Sequence, residues 1–332
     1  MVNIEVYIFK FIQEIIKKKY NKISNIIDMN EYRERYCESF GIKKYFNLYR
    51  KNFYRDFLEL IRNLDIKSIK TVITILYRIL CLNICEKLTV IYNKKEMETI
   101  LDIMQNYEKE IEKLSDGNYC YKEMILPIKH FEVSVFYHKH CIELIKNKSL
   151  IKSKNIIDVG GFIGESAIVF SNYTNKKIYT FEPVSQNYNL MLKTIELNNK
   201  DNIIPINLAL SDKKETININ LSDSSSSMIN TNTDKYESIN TTTLDEWISD
   251  NPMEIGLIKV DIEGAEPKFI KGALEIIKKQ RPILIISIYH NSDDFFLIKP
   301  YIESLNLNYK FSIIKPIDAQ ILFETVLLCE PK

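Results

Sequence analysis

The chain has 332 residues, enough to bury a full core and to carry more than one domain. Its 45 Lys and Arg nearly balance 44 Asp and Glu, for a formal net charge of +1. No basic excess marks a polyanion as the main partner, so nucleic acid is not expected.

The opening stretch, Met1–Tyr20, places Glu5 and Lys10 early and lacks the charge order of a signal peptide; the expectation is a cytoplasmic protein. The cysteines Cys37, Cys81, Cys85, Cys120, Cys141 and Cys329 form no Cys-x-x-Cys pair and read as reduced thiols. Apolar residues Phe46, Tyr49, Phe53, Phe57, Leu60, Ile61 and Leu64 recur at helical spacing. Arg50, Lys51 and Arg55 interleave with these aromatics as in a nucleic-acid surface, but the spacing assigns the aromatics to a core and the charges to solvent. Residues 69–92 and 96–114 read as two further helices. The apolar run Thr71–Cys85 is interrupted by Arg78 and is too short to span a bilayer. In "FYHKHC", His138, His140 and Cys141 form a candidate metal cluster on an apparently helical approach to the first strand, a weaker reading than plain packing.

From Asn155 the pattern changes to short β-branched runs alternating with helical ones. The expected strands are "NIIDV", "KIYTFE", "NIIPINLAL", "ETININL", "GLIKVDI", "PILIISIY", "YKFSIIK" and "ILFETVLLC". The expected helices are Glu165–Asn172, Val184–Asn199, Pro267–Lys279 and Asp293–Leu305. Continuous apolar strands separated by helices predict an α/β fold with a parallel sheet covered on both faces. The last two strands, joined without a helix, are expected to be antiparallel. The low-complexity run Asp223–Ser227 reads as a loop.

The first strand runs into Asp158, Gly160, Gly161 and Gly164. In a doubly wound sheet this turn is the usual ligand cradle. A dinucleotide fingerprint needs Gly-x-Gly-x-x-Gly, and the first interval here is wrong. Asp158 would repel a pyrophosphate, but could accept from an ammonium group, directly or through water. Glu182, at the end of the second strand, stands where an acid meets a ribose diol and suits either kind of nucleoside ligand.

The segments "IIDVGGFIGESA", "YTFEP", "TLDEW", "LIKVDIEGAE" followed by "IKGA", "RPILIISIYH" and the C-terminal "ETVLLCE" resemble, in order and spacing, the FkbM family of S-adenosylmethionine-dependent methyltransferases. The resemblance covers about residues 150–332. It implies a class I methyltransferase-like (Rossmann-like) fold, a seven-stranded sheet with an antiparallel last strand, behind a mainly helical N-terminal region. Outside the resemblance, residues 1–130 match no motif and read from their own pattern as a mainly helical cap or oligomerisation region, leaving 131–332 as the expected methyltransferase domain. Asp158, Gly160, Gly161 and Gly164 would hold the methionine moiety of S-adenosyl-L-methionine, Glu182 its ribose, and Ala209 and Leu210 would flank adenine. Many members carry an acid near the end of the fifth strand, where this chain has Ser287 and then His290.

Asp261, at the end of the fourth strand, would sit beside the sulfonium or the acceptor. The catalytic candidates are His290, Asp261 and Glu263; Glu266, just before Pro267, fits a helix N-terminal role better. A divalent metal on Asp261, Glu263 and His290 is the less favoured alternative. The expected activity, its glycan context implied by the resemblance, is O-methylation of a sugar or glycoconjugate hydroxyl. The alternatives are N-methylation of an amine, a scaffold that binds the cofactor without turnover, and, least favoured, an NAD-dependent oxidoreductase. The expected partners are a small-molecule or glycoconjugate acceptor and a second copy of the chain through the N-terminal region.

Overall fold

The computed structural model describes residues 52–84, 92–220 and 236–332. Helix α1 (Phe53–Ile61) and helix α2 (Ile66–Ile84) open it. Phe57, Leu60 and Leu64 are buried, as their spacing requires, whereas Phe46 and Tyr49 lie outside the described residues. Likewise the helix expected over 69–92 is seen as α2, and residues 85–91 lie outside the described part.

Helix α3 (Lys94–Gln105) starts at a capping box made by Asn93 and Glu96. The helix expected to reach residue 114 ends at Gln105. Beyond it the chain forms a three-stranded antiparallel meander, β1 (Ile111–Lys113), β2 (Tyr119–Tyr121) and β3 (Met124–Leu126). The reason is the turn: Gly117 takes φ +90° and Asn118 N donates to Asp116 Oδ1, closing a hairpin just beyond the expected helix end. After a single π-turn (Val133–Tyr137) and a 3₁₀ segment (Lys139–Leu144), the short helix α4 (Ser149–Lys152) leads into the main sheet.

That sheet alternates β4 (Asn155–Val159), α5 (Glu165–Phe170), β5 (Ile178–Phe181), α6 (Ser185–Leu197) and β6 (Ile203–Ile206). The strand expected through Leu210 breaks after Ile206. Its tail, β7 (Ala209–Leu210), joins β8 (Glu215–Asn220) and β9 (Tyr236–Thr242) in a separate sheet of order β7-β9-β8. Residues 223–227 lie outside the described part. Helix α7 (Leu244–Asp250) then leads to β10 (Ile255–Val260). The helix expected over Pro267–Lys279 divides at Ala273 into α8 (Glu266–Gly272) and α9 (Leu274–Gln280). There Gly272 abuts the Ser211 carbonyl so closely that a Cβ would lie 1.9 Å from it. β11 (Ile283–Ser287), α10 (Ser292–Ser304), β12 (Tyr309–Ile314) and β13 (Val326–Pro331) complete the chain.

The seven-stranded sheet has the order β12-β13-β11-β10-β4-β5-β6. β13 runs antiparallel to both neighbours, and the pairs from β11 through β6 are parallel. This is a class I methyltransferase-like, Rossmann-like fold. Successive residues of a strand point to opposite faces. Ile157, Val159, Ile258 and Val260 accordingly enter one core with α1 and α2, while Ile156 and Leu257 enter the other with Tyr107, Tyr121 and Leu126. Fully buried Ile and Leu side chains are each worth about 1.5–3 kcal/mol relative to exposure, so both faces contribute heavily.

A buried lysine ties α1 to the sheet: Lys299 Nζ donates to the carbonyls of Glu59 and Arg62 at the C-terminus of α1 and pairs with Glu303. Among the described residues, no helix is long and apolar enough to cross a membrane.

Candidate active site

Parallel pairing puts the carboxyl ends of neighbouring strands at one edge of the sheet. Val260 is level with Val159 on one side and with Ile286 on the other, and Val159 is level with Phe181. The residues that follow β4, β5, β10 and β11 therefore converge, and these are the residues singled out from the sequence.

The glycine turn follows from strand packing. Gly160 has φ +78°, and a Cβ on it would stand 1.8 Å from the Asp261 carbonyl oxygen. A Cβ on Gly161 would stand 1.9 Å from Thr180 Oγ1. The amides of both glycines donate to the Phe181 carbonyl at 3.0 and 2.9 Å. Gly164, at φ +90°, leads into α5. Glu182 closes the turn from the neighbouring strand: Oε2 accepts from Phe162 N at 3.1 Å, and Oε1 from Val184 N at 2.9 Å and Asn187 Nδ2 at 3.3 Å. Burial pushes the Glu182 carboxyl up to about 7 despite these bonds. Asn207 bonds the carbonyls of Glu182 and Pro183, tying the end of β5 to the chain after β6.

Asp158, expected to hold the methionine moiety, turns its carboxylate into the protein. It is fully buried. Oδ2 accepts from Ser166 Oγ at 2.7 Å and Thr180 Oγ1 at 2.9 Å, and Oδ1 lies 3.3 Å from Lys259 Nζ. Lys259 also donates to the Gly160 carbonyl at 2.7 Å. Burial alone would lower the Lys259 pKa; Asp158 and Asp261 outweigh it and hold the ammonium charged. Leu210 is buried in the core, and its neighbour Ala209 is partly exposed.

On the β10 and β11 side, Asp261 accepts from Tyr289 Oη at 3.2 Å and lies 3.3 Å from His290 Nε2. Glu263 is half-exposed, at φ +58°, with Oε2 3.7 Å from the same nitrogen. Glu266 is fully buried; its Oε1 accepts from Ile262 N at 2.8 Å and lies 3.1 Å from His290 Nδ1. Burial would raise the Asp261 carboxyl, but the His290 contact and the Lys259 charge hold it well below the usual carboxylate range. Burial would lower His290, but Asp261 and Glu266 hold it well above the usual imidazole value.

A second group, absent from the sequence reading, closes over the turn. His130 packs edge-on to Phe162, its Nδ1 2.7 Å from Glu165 Oε1 and its Nε2 3.6 Å from Glu132. Burial would lower His130, yet the Glu165 charge and hydrogen bond bring it up to about 9. The Glu132 carboxyl is raised by its desolvated surroundings and then by Glu324 and Glu165, although its tip is 45% exposed. Glu324 is pushed up to about 7 by burial and then by Asp261. The edge of the sheet thus gathers a cluster of acidic groups, hereafter the chamber. No motif marks these residues, but Lys259 carried a signal: a lysine inside an apolar central strand needs a buried partner.

The second candidate metal cluster does not form. His138 Nε2 lies 2.8 Å from the Ile317 carbonyl oxygen. His140 and Cys141 are buried in a left-handed turn, with φ 49° and 62°, where a helical approach was expected. Among the described residues, the group with metal-ligand spacing is Asp261, Glu266 and His290, with Glu266 in the place expected for Glu263.

Residues 158–311 match the family model of the methyltransferase FkbM domain. Among solved structures, the chain is similar to the methyltransferase FkbM from Methylobacillus flagellatus KT. The two share 20% identity at a TM-score of 0.54, over 84% of this chain and 59% of that one. The chain thus spans less than two thirds of that relative's length, and the likeness shows the fold. A more distant likeness is to an rRNA methylase from Streptococcus thermophilus, with 12% identity and a TM-score of 0.38, over 56% of this chain and 92% of that one. No functionally curated protein matches the chain.

Proposed function

Because residues 158–311 match the family model of the methyltransferase FkbM domain, we propose that the protein is an S-adenosylmethionine-dependent methyltransferase acting on a hydroxyl of a sugar or glycoconjugate. The observation that carries this reading is the charge around the glycine turn. Asp261, Glu132, Glu165 and Glu324 act on one another electrostatically there, while the nearby Lys259 is sealed against Asp158. A pyrophosphate would meet acidic groups and favour their protonated forms; a sulfonium and an ammonium group would favour the ionised forms and so gain complementary charge.

In this reading the backbone at Gly160, Gly161 and Gly164 holds the methionine moiety, and Asp158 shapes that backbone through Lys259. Glu182 takes the ribose hydroxyls, exchanging part of its bonding to Phe162 or Val184. Ala209 and Leu210 flank adenine, with Leu210 held in the core. Asp261 borders both cofactor and acceptor, and Glu263 and His290 stand on the acceptor side. When bound, the cofactor supplies the electrophilic methyl group and a neutral thioether leaving group. The chain's own work is to hold the acceptor oxygen in line and to receive its proton on a carboxylate, Asp261 or Glu263, with the His290 imidazolium placed against both. Orientation contributes on the order of 7–11 kcal/mol and a general base about 3–5, so placement dominates.

The N-terminal region, residues 1–130, would cap the chamber or join two copies, leaving 131–332 as the methyltransferase domain. The acidity of the chamber also suits an amine acceptor, bound as its ammonium and deprotonated onto a carboxylate before transfer, which keeps N-methylation as the second reading. Calorimetry of S-adenosylmethionine with the wild type and with Glu182→Ala tests the cradle: binding is expected to be lost in the variant, and unchanged binding would overturn the assignment. Mass spectrometry of glycans and amines from cells with and without the protein then identifies the acceptor by the added mass of one CH₂.

A further inference from the structure

We infer that Asp261, Glu266 and His290 form a divalent cation site, two carboxylates and one imidazole, open toward the acceptor side of the chamber. One ligand atom from each residue lies within 4.8 Å of the others. Neighbouring ligands around a six-coordinate ion with bonds of about 2.1 Å stand about 3 Å apart, and opposite ones about 4 Å. The ring offers one nitrogen to an ion: Nδ1 lies 3.1 Å from Glu266 Oε1, or Nε2 lies 3.3 Å from Asp261 Oδ1, so one carboxylate stands at the spacing of a neighbouring ligand and the other completes the 4.8 Å set.

A second observation is independent of spacing. Glu266 is fully buried, yet its Oε2 has no hydrogen-bond partner among the described residues, and the ring nitrogens of His290, 8% exposed, meet carboxylates at 3.1 and 3.3 Å without hydrogen-bond alignment. Buried polar atoms left in this state are costly and call for an explanation. The surrounding charge points the same way. Glu263 faces Nε2 of the ring, and buried Asp294 acts electrostatically on both Glu266 and His290, so carboxylates outnumber the one imidazole.

Backbone geometry holds the ligands in place. Ile262 N fixes Glu266 Oε1, and the parallel pairing of β10 with β11 brings His290 beside Asp261. Asp261 keeps 20% of its side-chain exposure and Glu263 keeps 52%, leaving the site open on that side. The imidazole in the set points to a first-row divalent transition ion rather than Mg²⁺, and Mn²⁺ is the member of that row that paramagnetic resonance reads directly. A cation here would bind the acceptor's hydroxyl and make its proton easier to lose, with Glu263 placed to receive it. This inference rests on the methyl-transfer reading and deepens it.

The test is a Mn²⁺ titration of the full-length protein after chelator treatment and desalting, followed by electron paramagnetic resonance of free Mn²⁺. The expected result is one Mn²⁺ per chain in the wild type. The affinity should fall about tenfold or more in both Glu266→Gln and His290→Ala, and Mn²⁺ should raise the melting temperature of the wild type alone. Glu266→Gln keeps the acceptor for Ile262 N, and the melting temperatures without Mn²⁺ show whether either variant has failed to fold. Absence of Mn²⁺ binding, or equal binding in wild type and folded variants, overturns the site. Calorimetry with S-adenosylmethionine alone separates the two claims: if the cofactor binds and Mn²⁺ does not, only the cation site falls.

Discussion

Lys259 and Asp158 form an ion pair sealed between the two central strands, 3.3 Å apart, with side chains 4% and 0% exposed. The pair also fixes the turn, because Lys259 donates to the Gly160 carbonyl. Removing one partner leaves a buried charge uncompensated, which costs about 3–5 kcal/mol; removing both is often close to neutral. Lys259→Met should therefore lower stability by about that amount, and Lys259→Met with Asp158→Asn should recover much of it. Urea denaturation of the two proteins checks this. Equal instability of the single and double variants would mean that the pair is not coupled.

Gly160 and Gly117 give a controlled comparison. Both have positive φ, but a Cβ on Gly117 meets nothing within 4 Å, whereas one on Gly160 meets the Asp261 backbone at 1.8 Å. Left-handed backbone alone costs a non-glycine residue about 1–2 kcal/mol. Gly117→Ala should lose about that much and fold. Gly160→Ala must move either the turn or Asp261, and should lose folded protein altogether or melt far lower. Thermal melts of the two variants decide it; similar losses would show that the turn yields easily.

The sheet was legible because its strands are continuous apolar runs, and a strand buried on both faces has little other reading. The same logic located the strand-end residues, since each follows such a run. Other features were hidden by physics that is not local. β1, β2 and β3 are short, and β1 falls within the end of the helix expected over 96–114. The break after Ile206 depends on pairing with β9, about thirty residues downstream. Glu132, Glu165 and Glu324 meet only because three separate segments fold over one edge of the sheet. The Asp158 carboxylate turned inward because Lys259 lies level with it on the next strand, a pairing register that the sequence does not state.

Glu182 makes stability fall with rising pH. Its folded pKa is about 7 against an ordinary 4.5, so between those values the native state holds a proton that the unfolded chain has lost. The native advantage is largest below about 4.5 and shrinks as pH rises to 7, by up to about 3 kcal/mol. Glu324 and Asp294, also pushed up to about 7, add slopes of the same sign. Glu182→Gln should remove only its own share and make the curve between pH 5 and 7.5 shallower, while weakening S-adenosylmethionine binding. Denaturant unfolding across that range measures the slope; an unchanged slope would mean that Glu182 ionises normally.

His130 acts in a higher window. Its folded pKa is about 9 against an ordinary 6.5, held up by Glu165 at 2.7 Å. The charged pair stabilises the fold fully below about pH 6.5, and that contribution is lost as pH rises through 9, by up to about 3 kcal/mol. Because His130 packs on Phe162, the loss falls on the segment that closes over the glycine turn. His130→Asn should be less stable than the wild type at pH 6 and nearly equal to it at pH 10, whereas Glu182→Gln should differ in its pH slope below neutrality. Unfolding curves at pH 6, 8 and 10 separate the two residues. A wild-type advantage over His130→Asn that persists undiminished at pH 10 would place the stabilisation in packing against Phe162 rather than in the ion pair with Glu165.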